Sequence, residues 1–331
     1  MASGSPATSK SSRRAGSPRA RRAWVILAAL VVVLCLATYG SMVWTISGIF
    51  AKHVVAGDGL GPESFGLQAE TVSLTSSDGL ALQAWWVVPQ AEPKGTVILL
   101  HGMDGMDATS MLGHARFLGD AGYASLALDM RAHGRSEGDR IGLAFEEPRD
   151  VSAAIDWVLA QEPVAGKPLI LLGASLGGAT ALRAAAARPE VDAVVSEGSY
   201  ASVDRMVVGF MEMMGAPRAL ALALDPFAKL ALLTLYGVWP ATASPVHDIG
   251  AIAPRPVLLI HGEKDDQISL DHLAALQAAA GPGAEVWVVP GAGHIVFEDV
   301  ALGPRDGTYK ARLAEFLSEV VEGNGRTDRG V

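Results

Sequence analysis

Residues 169–187 read "LILLGASLGGATALRAAAA": an aliphatic run enters a serine hemmed by glycines, and an alanine-rich segment follows at once. The first part has the unbroken apolar character of a strand buried on both faces, and the second has the composition of a helix. Ser175 stands at the junction. Gly173-Ala174-Ser175-Leu176-Gly177 fits G-x-S-x-G, the spacing of a nucleophile on a sharp strand-to-helix turn. Such a turn forces the serine into an unfavourable backbone conformation, and side chains two residues to either side would collide with the strand and the helix. A plain tight connection, with Ser175 only capping a helix, would use similar residues. The rest of the chain decides between them.

On either side of this stretch, buried strands alternate with amphipathic helices. "GTVILLHG", "YASLALDM", "VDAVVSEGS", "RPVLLIHG" and "AEVWVVPG" read as strands, and "ATSMLGHARFLGDAG", "EPRDVSAAIDWVLAQ", "LDHLAALQAAAG" and "TYKARLAEFLSEVVEG" as helices. A hairpin around Ser77-Asp78-Gly79 precedes them. Apolar strands separated by helices predict a mostly parallel sheet covered on both faces, with functional groups in loops at the carboxyl ends of its strands. Regularity lapses between Tyr200 and Gly250, a helical, Met-rich stretch broken by four prolines.

A serine hydroxyl needs a base to take its proton. Of the eight histidines, His294 sits in the Gly-rich "VVPGAGHIVFED" just beyond the last strand, where a loop can carry the ring across the sheet. His101 and His261 end strands before glycines and read as packing residues. His133 belongs to a turn fixed by Asp129 and Arg131, while His53, His114, His247 and His272 read as surface or packing residues. A third member should be a carboxylate at another strand end, orienting the imidazole. Glu263, Asp265 and Asp266 follow "VLLIHG", and Glu197 follows "VVS". Stabilisation of an oxyanion calls for backbone N–H groups: that of Leu176, after the nucleophile, and that of Met103, after "TVILLHG".

"LLHGMDG", "LDMRAHGRSEG", "LLGASLGG", "LLIHGEKDDQIS" and "PGAGH" together resemble the alpha/beta-hydrolase superfamily, in particular bacterial membrane-anchored serine hydrolases of the monoglyceride-lipase and serine-aminopeptidase type. The resemblance covers about residues 70–322. It implies an alpha/beta-hydrolase fold: an eight-stranded, mostly parallel sheet, helices on both faces, and a small helical cap inserted at 200–250. It places the nucleophile on Ser175, the acid on Asp265, the base on His294, and the oxyanion amides on Met103 and Leu176.

The N-terminal part lies outside this resemblance. Ala23–Phe50 carries no charge over 28 residues, against the roughly 20 that a spanning helix needs. Trp24 and Trp44 lie near its ends, where indole rings favour the headgroup zone. Six basic residues and no acid precede it, which predicts a cytoplasmic N-terminus and a catalytic domain outside the cytoplasm. A cleaved signal peptide is the competing reading; its apolar core would be shorter, and Thr38-Tyr39-Gly40 is a mediocre cleavage site. The expected organisation is therefore a disordered basic tail at 1–22, a transmembrane anchor at 23–50, a linker at 51–68, a hydrolase domain at 69–323 and a disordered tail at 324–331.

Setting the six basic residues aside leaves 20 against 35 acidic ones, a balance unsuited to nucleic acid. The single Cys35 excludes an intrachain disulfide, and no Cys or His cluster suggests a metal; no cofactor is expected. These features predict a membrane-anchored serine hydrolase that cleaves acyl esters, small or lipidic, through an acyl-enzyme. Peptidase, aminopeptidase or thioesterase chemistry on the same scaffold is the first alternative. An anchored interaction domain without catalysis is the second.

Overall fold

The computed structural model describes residues 18–55, 59–103, 105–298 and 300–327. Of the disordered tails expected at 1–22 and 324–331, residues 1–17 and 328–331 lie outside the described residues, whereas 18–22 and 324–327 are helical, continuing the helices next to them.

The apolar runs hydrogen-bond into one eight-stranded sheet. Its strands are β1 (Glu70–Thr75), β2 (Ala81–Val87), β3 (Thr96–Leu100), β4 (Ala124–Asp129), β5 (Leu169–Ala174), β6 (Ala193–Glu197), β7 (Val257–Gly262) and β8 (Ala284–Val289), in the order β1-β2-β4-β3-β5-β6-β7-β8. Only β2 runs against its neighbours, closing the predicted hairpin with β1 and pairing antiparallel with β4; the other pairs are parallel. This is the alpha/beta-hydrolase fold expected from the sequence.

Alternate residues of each buried strand feed two cores. In β3, Ile98 and Leu100 join a core beneath α3 (Pro148–Leu159), α4 (Leu176–Ala187) and α8 (Leu270–Ala280). Val97 and Leu99 join the opposite core, beneath α2 (Leu112–Asp120) and α9 (Gly307–Thr327). The chain leaves β3 in one direction to reach β4, then returns across it to β5. That reversal opens a crevice between the carboxyl ends of β3 and β5, the place where open α/β sheets bind ligands.

Between β6 and β7 the chain forms α5 (Val203–Met213), α6 (Arg218–Tyr236) and the short α7 (Pro245–Asp248). The N-terminal segment is a continuous helix, α1 (Pro18–Phe50), that begins ahead of the apolar run. Among the described residues, α1 and α6 are long and apolar enough to cross a membrane. The two halves of α1 differ. Residues 21–37 are exposed, whereas the following turns pack on α6, with Tyr39 Oη 2.7 Å from Thr234 Oγ1 and Ile46 and Phe50 buried.

The stretch read as a linker is docked where it is described. Val54 N–H donates to Ala132 O, Gly134 N–H donates to Val54 O, and the His53 ring lies 2.9 Å from the carbonyls of Gly134 and Gly138. A short 3-10 turn at Pro62–Phe65 follows. Backbone pairing therefore leaves α1 little slack from the domain, in contrast to the free tether that a Gly-containing segment suggests.

A buried ion-pair network fixes the "DMRAHGRS" turn. The Arg131 guanidinium, 4% exposed, reaches Asp150 at 2.6 Å and Asp78 at 2.8 Å, so it ties the β1–β2 turn to α3. The Arg131 N–H also donates to Asp150. Asp129 meanwhile accepts from Ala108 N–H and from Arg135. Arg131→Leu should leave the Asp150 carboxylate buried without its cation and destabilise the fold by about 3–5 kcal/mol. Thermal unfolding in detergent checks this; an unchanged transition would show that water replaces the guanidinium.

Candidate active site

The elbow forms because three glycines give way to backbone. Ser175 has φ 55° and ψ −115°, a strained conformation for a residue with a side chain, which costs about 1–3 kcal/mol. A Cβ on Gly173 would meet the Gly177 backbone at 2.3 Å, and one on Gly177 would meet Leu100 O at 2.3 Å. Gly178 is closed in by Ser196 Oγ at 2.8 Å. Strand, turn and helix thus pack closer than any side chain allows. The Ser175 N–H donates to Glu197 O at 2.7 Å, pinning the turn to β6.

The loops after β7 and β8 converge on this serine. His294 Nε2 lies 2.9 Å from Ser175 Oγ, and His294 Nδ1 lies 2.8 Å from Asp265 Oδ2. Their approach again depends on missing side chains: a Cβ on Gly262 would stand 1.9 Å from Gly293 O, and one on Gly198 would stand 2.8 Å from His294 O. The Asp265 side chain is fully buried, and its Oδ1 accepts from Gln267 N–H at 2.9 Å and Ile268 N–H at 2.8 Å. Burial by itself would raise its pKa, but hydrogen bonds from His261, His294 and Ile268 outweigh burial and hold it well below the usual carboxylate range. An anionic Asp265 beside His294 Nδ1 is an arrangement able to fix the imidazole tautomer and to face a positive charge on the ring.

The other carboxylates and histidines fall elsewhere. Asp266 is exposed, and Glu263 turns back to accept from Gly291 N–H. Glu197 is buried and accepts from Tyr309 Oη, whose oxygen lies 2.9 Å from His114 Nε2. Burial pushes the Glu197 carboxyl up to about 8 despite that bond, so at neutral pH it is mostly a neutral acid. His101 bridges Met130 N–H and Gly102 O beneath the loop carrying Met103. His272 lines the cavity and accepts from Ala201 N–H, with its pKa lowered to about 4 chiefly by burial.

Leu176 is the first residue of α4, where N–H groups have no acceptor within the helix. The loop after β3 passes directly over the elbow; a Cβ on Gly102 would sit 3.6 Å from that of Ser175. Met103 follows and lines the same cavity as Ser175, Leu176, Asp265 and His294. The cavity measures about 760 Å³, within the range of small-molecule sites. Its walls come from α5 and α6, and also from α1, which the sequence reading assigned wholly to lipid. Among the described residues no His, Cys, Asp or Glu cluster could hold a metal.

The arrangement can be compared with known proteins. Residues 91–243 match the family model described as serine aminopeptidase, S33. The chain is similar to YfhR of Escherichia coli K12, at 26% identity over 78% of this chain and 82% of that one. It is also similar to a monoacylglycerol lipase of Mycolicibacterium smegmatis, at 29% identity over 64% of this chain and 85% of that one. Among solved structures it resembles an esterase of Pyrococcus furiosus, with a TM-score of 0.66, 24% identity, and coverage of 82% of this chain and 98% of that one.

The neutral Glu197 makes a distinct prediction. Between its ordinary value near 4.5 and its folded value of about 8, the folded chain holds a proton that the unfolded chain releases, so stability falls as pH rises through that window. Glu197→Gln should flatten this fall in the melting temperature between pH 5 and 8. Identical pH profiles for the two proteins would mean that Glu197 is ionised in the fold.

Proposed function

This chain belongs to the alpha/beta-hydrolase superfamily, and we propose that within it the chain is a membrane-anchored serine hydrolase of carboxylic esters. One observation carries this reading: the unbroken relay from Ser175 Oγ through the two nitrogens of His294 to the anionic Asp265.

Ser175 Oγ attacks the ester carbonyl carbon while its proton passes to His294 Nε2. The carbonyl π electrons move to oxygen, and that oxyanion accepts from the N–H groups of Leu176 and Met103. The tetrahedral intermediate collapses, the C–O bond to the alcohol breaks, and His294 returns the proton to the leaving oxygen. Water then attacks the acyl-enzyme with His294 as base, and the acid leaves as Ser175 regains its proton. Asp265 stays ionised throughout and stabilises the imidazolium in both steps.

The predominantly apolar cavity supports ester over amide. Its Met206, Phe210, Met211 and Leu232 suit an acyl chain better than a peptide backbone, which would leave polar groups unpaired. The aminopeptidase description of the matched family keeps amide cleavage as the second reading. The charge-free run at 23–50 of α1, with its exposed half and arginines only on its N-terminal side, supports a single-pass anchor with the N-terminus in the cytoplasm and the catalytic domain outside.

Ser175→Ala should retain the fold, lose labelling by an alkyl fluorophosphonate, and lose ester hydrolysis by several orders of magnitude. Asp265→Asn should cost far more activity than Asp266→Asn. Full turnover by Ser175→Ala would sink the mechanism, and preferential hydrolysis of aminoacyl amides over acyl esters would select the second reading. Protease added to intact spheroplasts expressing the chain should digest the catalytic domain and spare a short N-terminal fragment; complete protection would invert the topology.

A further inference from the structure

The cavity has an unexpected wall. Met42, Thr45, Ile46, Ile49 and Phe50 of α1 line it beside Ser175 and His294. Their spacing is one face of a helix, i, i+3, i+4, i+7 and i+8. Beside this face stand α5 and α6, which complete the cavity, and the Phe50 and Phe210 rings pack together with centroids 6.2 Å apart. Each apolar residue of α1 on this face has cap or cavity as its neighbour rather than lipid. The contact is held at both ends: Tyr39 hydroxyl meets Thr234 hydroxyl, and Val54 pairs with Ala132 and Gly134.

Helix length sets the depth of this wall. Trp24 and Trp44, 69% and 80% exposed, are 20 residues apart, or about 30 Å at 1.5 Å per residue. That equals the thickness of a bilayer's hydrocarbon core. With the two indoles at the two interfaces, Met42 lies at the outer edge of the hydrocarbon, and the wall climbs from there toward Ser175. The cap exposes further apolar side chains, among them Met213, Met214, Leu220 and Leu222.

We propose that the last three turns of α1 form the acyl-chain wall of the catalytic cavity. The substrate is then a long-chain ester resident in the outer leaflet, whose chain slides along Met42, Ile46 and Ile49 to present its carbonyl to Ser175. This rests on the serine-hydrolase and anchor readings above and gives the anchor a second role, in substrate selection.

The test uses the full chain in phospholipid vesicles and two fluorophosphonates: one with a short alkyl chain, one with a hexadecyl chain ending in a diazirine. After Ser175 is labelled by the long probe, photolysis and peptide mapping locate the chain's far end. Crosslinks within residues 39–50 are expected, and Ile49→Trp should lower the ratio of kcat/KM for a hexadecanoyl over a butanoyl ester about tenfold. Crosslinks confined to α5 and α6, with an unchanged ratio in Ile49→Trp, would overturn the wall while short-probe labelling leaves the serine-hydrolase reading standing. Failure of the short probe to label Ser175 would overturn both.

Discussion

The molecule is organised around a place where the backbone is held in a conformation that serine disfavours. Ser175 stays at positive φ because β5, α4 and β3 close around it, and because its N–H has an acceptor in Glu197 O on β6. Each of those contacts requires a neighbouring strand in register, so the local strain is supported by the whole centre of the sheet. The hydroxyl emerges above the first turn of α4, where the helix's free N–H groups point. It also emerges at the crevice where the strand order reverses. The sheet topology and the turn thus specify the same point in space.

A second constraint acts on charge. Asp265 is buried yet ionised, which is tolerable only because two main-chain N–H groups and two imidazoles surround it. Glu197, one strand away, is buried with a single tyrosine donor and takes the opposite protonation state. Two carboxyls at adjacent strand ends are thereby separated by environment into an anion and a neutral acid. The number of donors, rather than proximity to His294 along the sheet, distinguishes them.

Much of this was legible in the sequence because its signals are local. Continuous apolar strands, glycines at fixed offsets and chemistry-bearing residues at strand ends survive as short motifs, and they led to the fold and to the placing of Ser175, His294 and Met103 around one cavity. The carboxylate was less legible. Glu263, Asp265 and Asp266 are chemically alike, and which one points inward depends on the turn geometry after β7; only the family resemblance favoured Asp265. The packing of α1 against the cap was invisible for a different reason. In a segment without a single charge, the scattered hydroxyls at Thr38, Tyr39, Ser41, Thr45 and Ser47 mark no continuous face, so the half that meets the cap was read together with the half that meets solvent or lipid. The docking of residues 53 and 54 was equally hidden, since Val54 uses backbone hydrogen bonds that any side chain permits and the acceptors of the His53 ring are carbonyls about 80 residues away.

The central claim is that Ser175 carries the acyl group between two half-reactions. Rapid-quench mass spectrometry of the full chain, mixed with an acyl ester and digested within milliseconds, measures this directly. The account predicts that the peptide bearing Ser175 gains the mass of the acyl group, transiently and in step with the burst of released alcohol. Steady hydrolysis of the ester with no adduct on that peptide, or with the adduct on another residue, would contradict it.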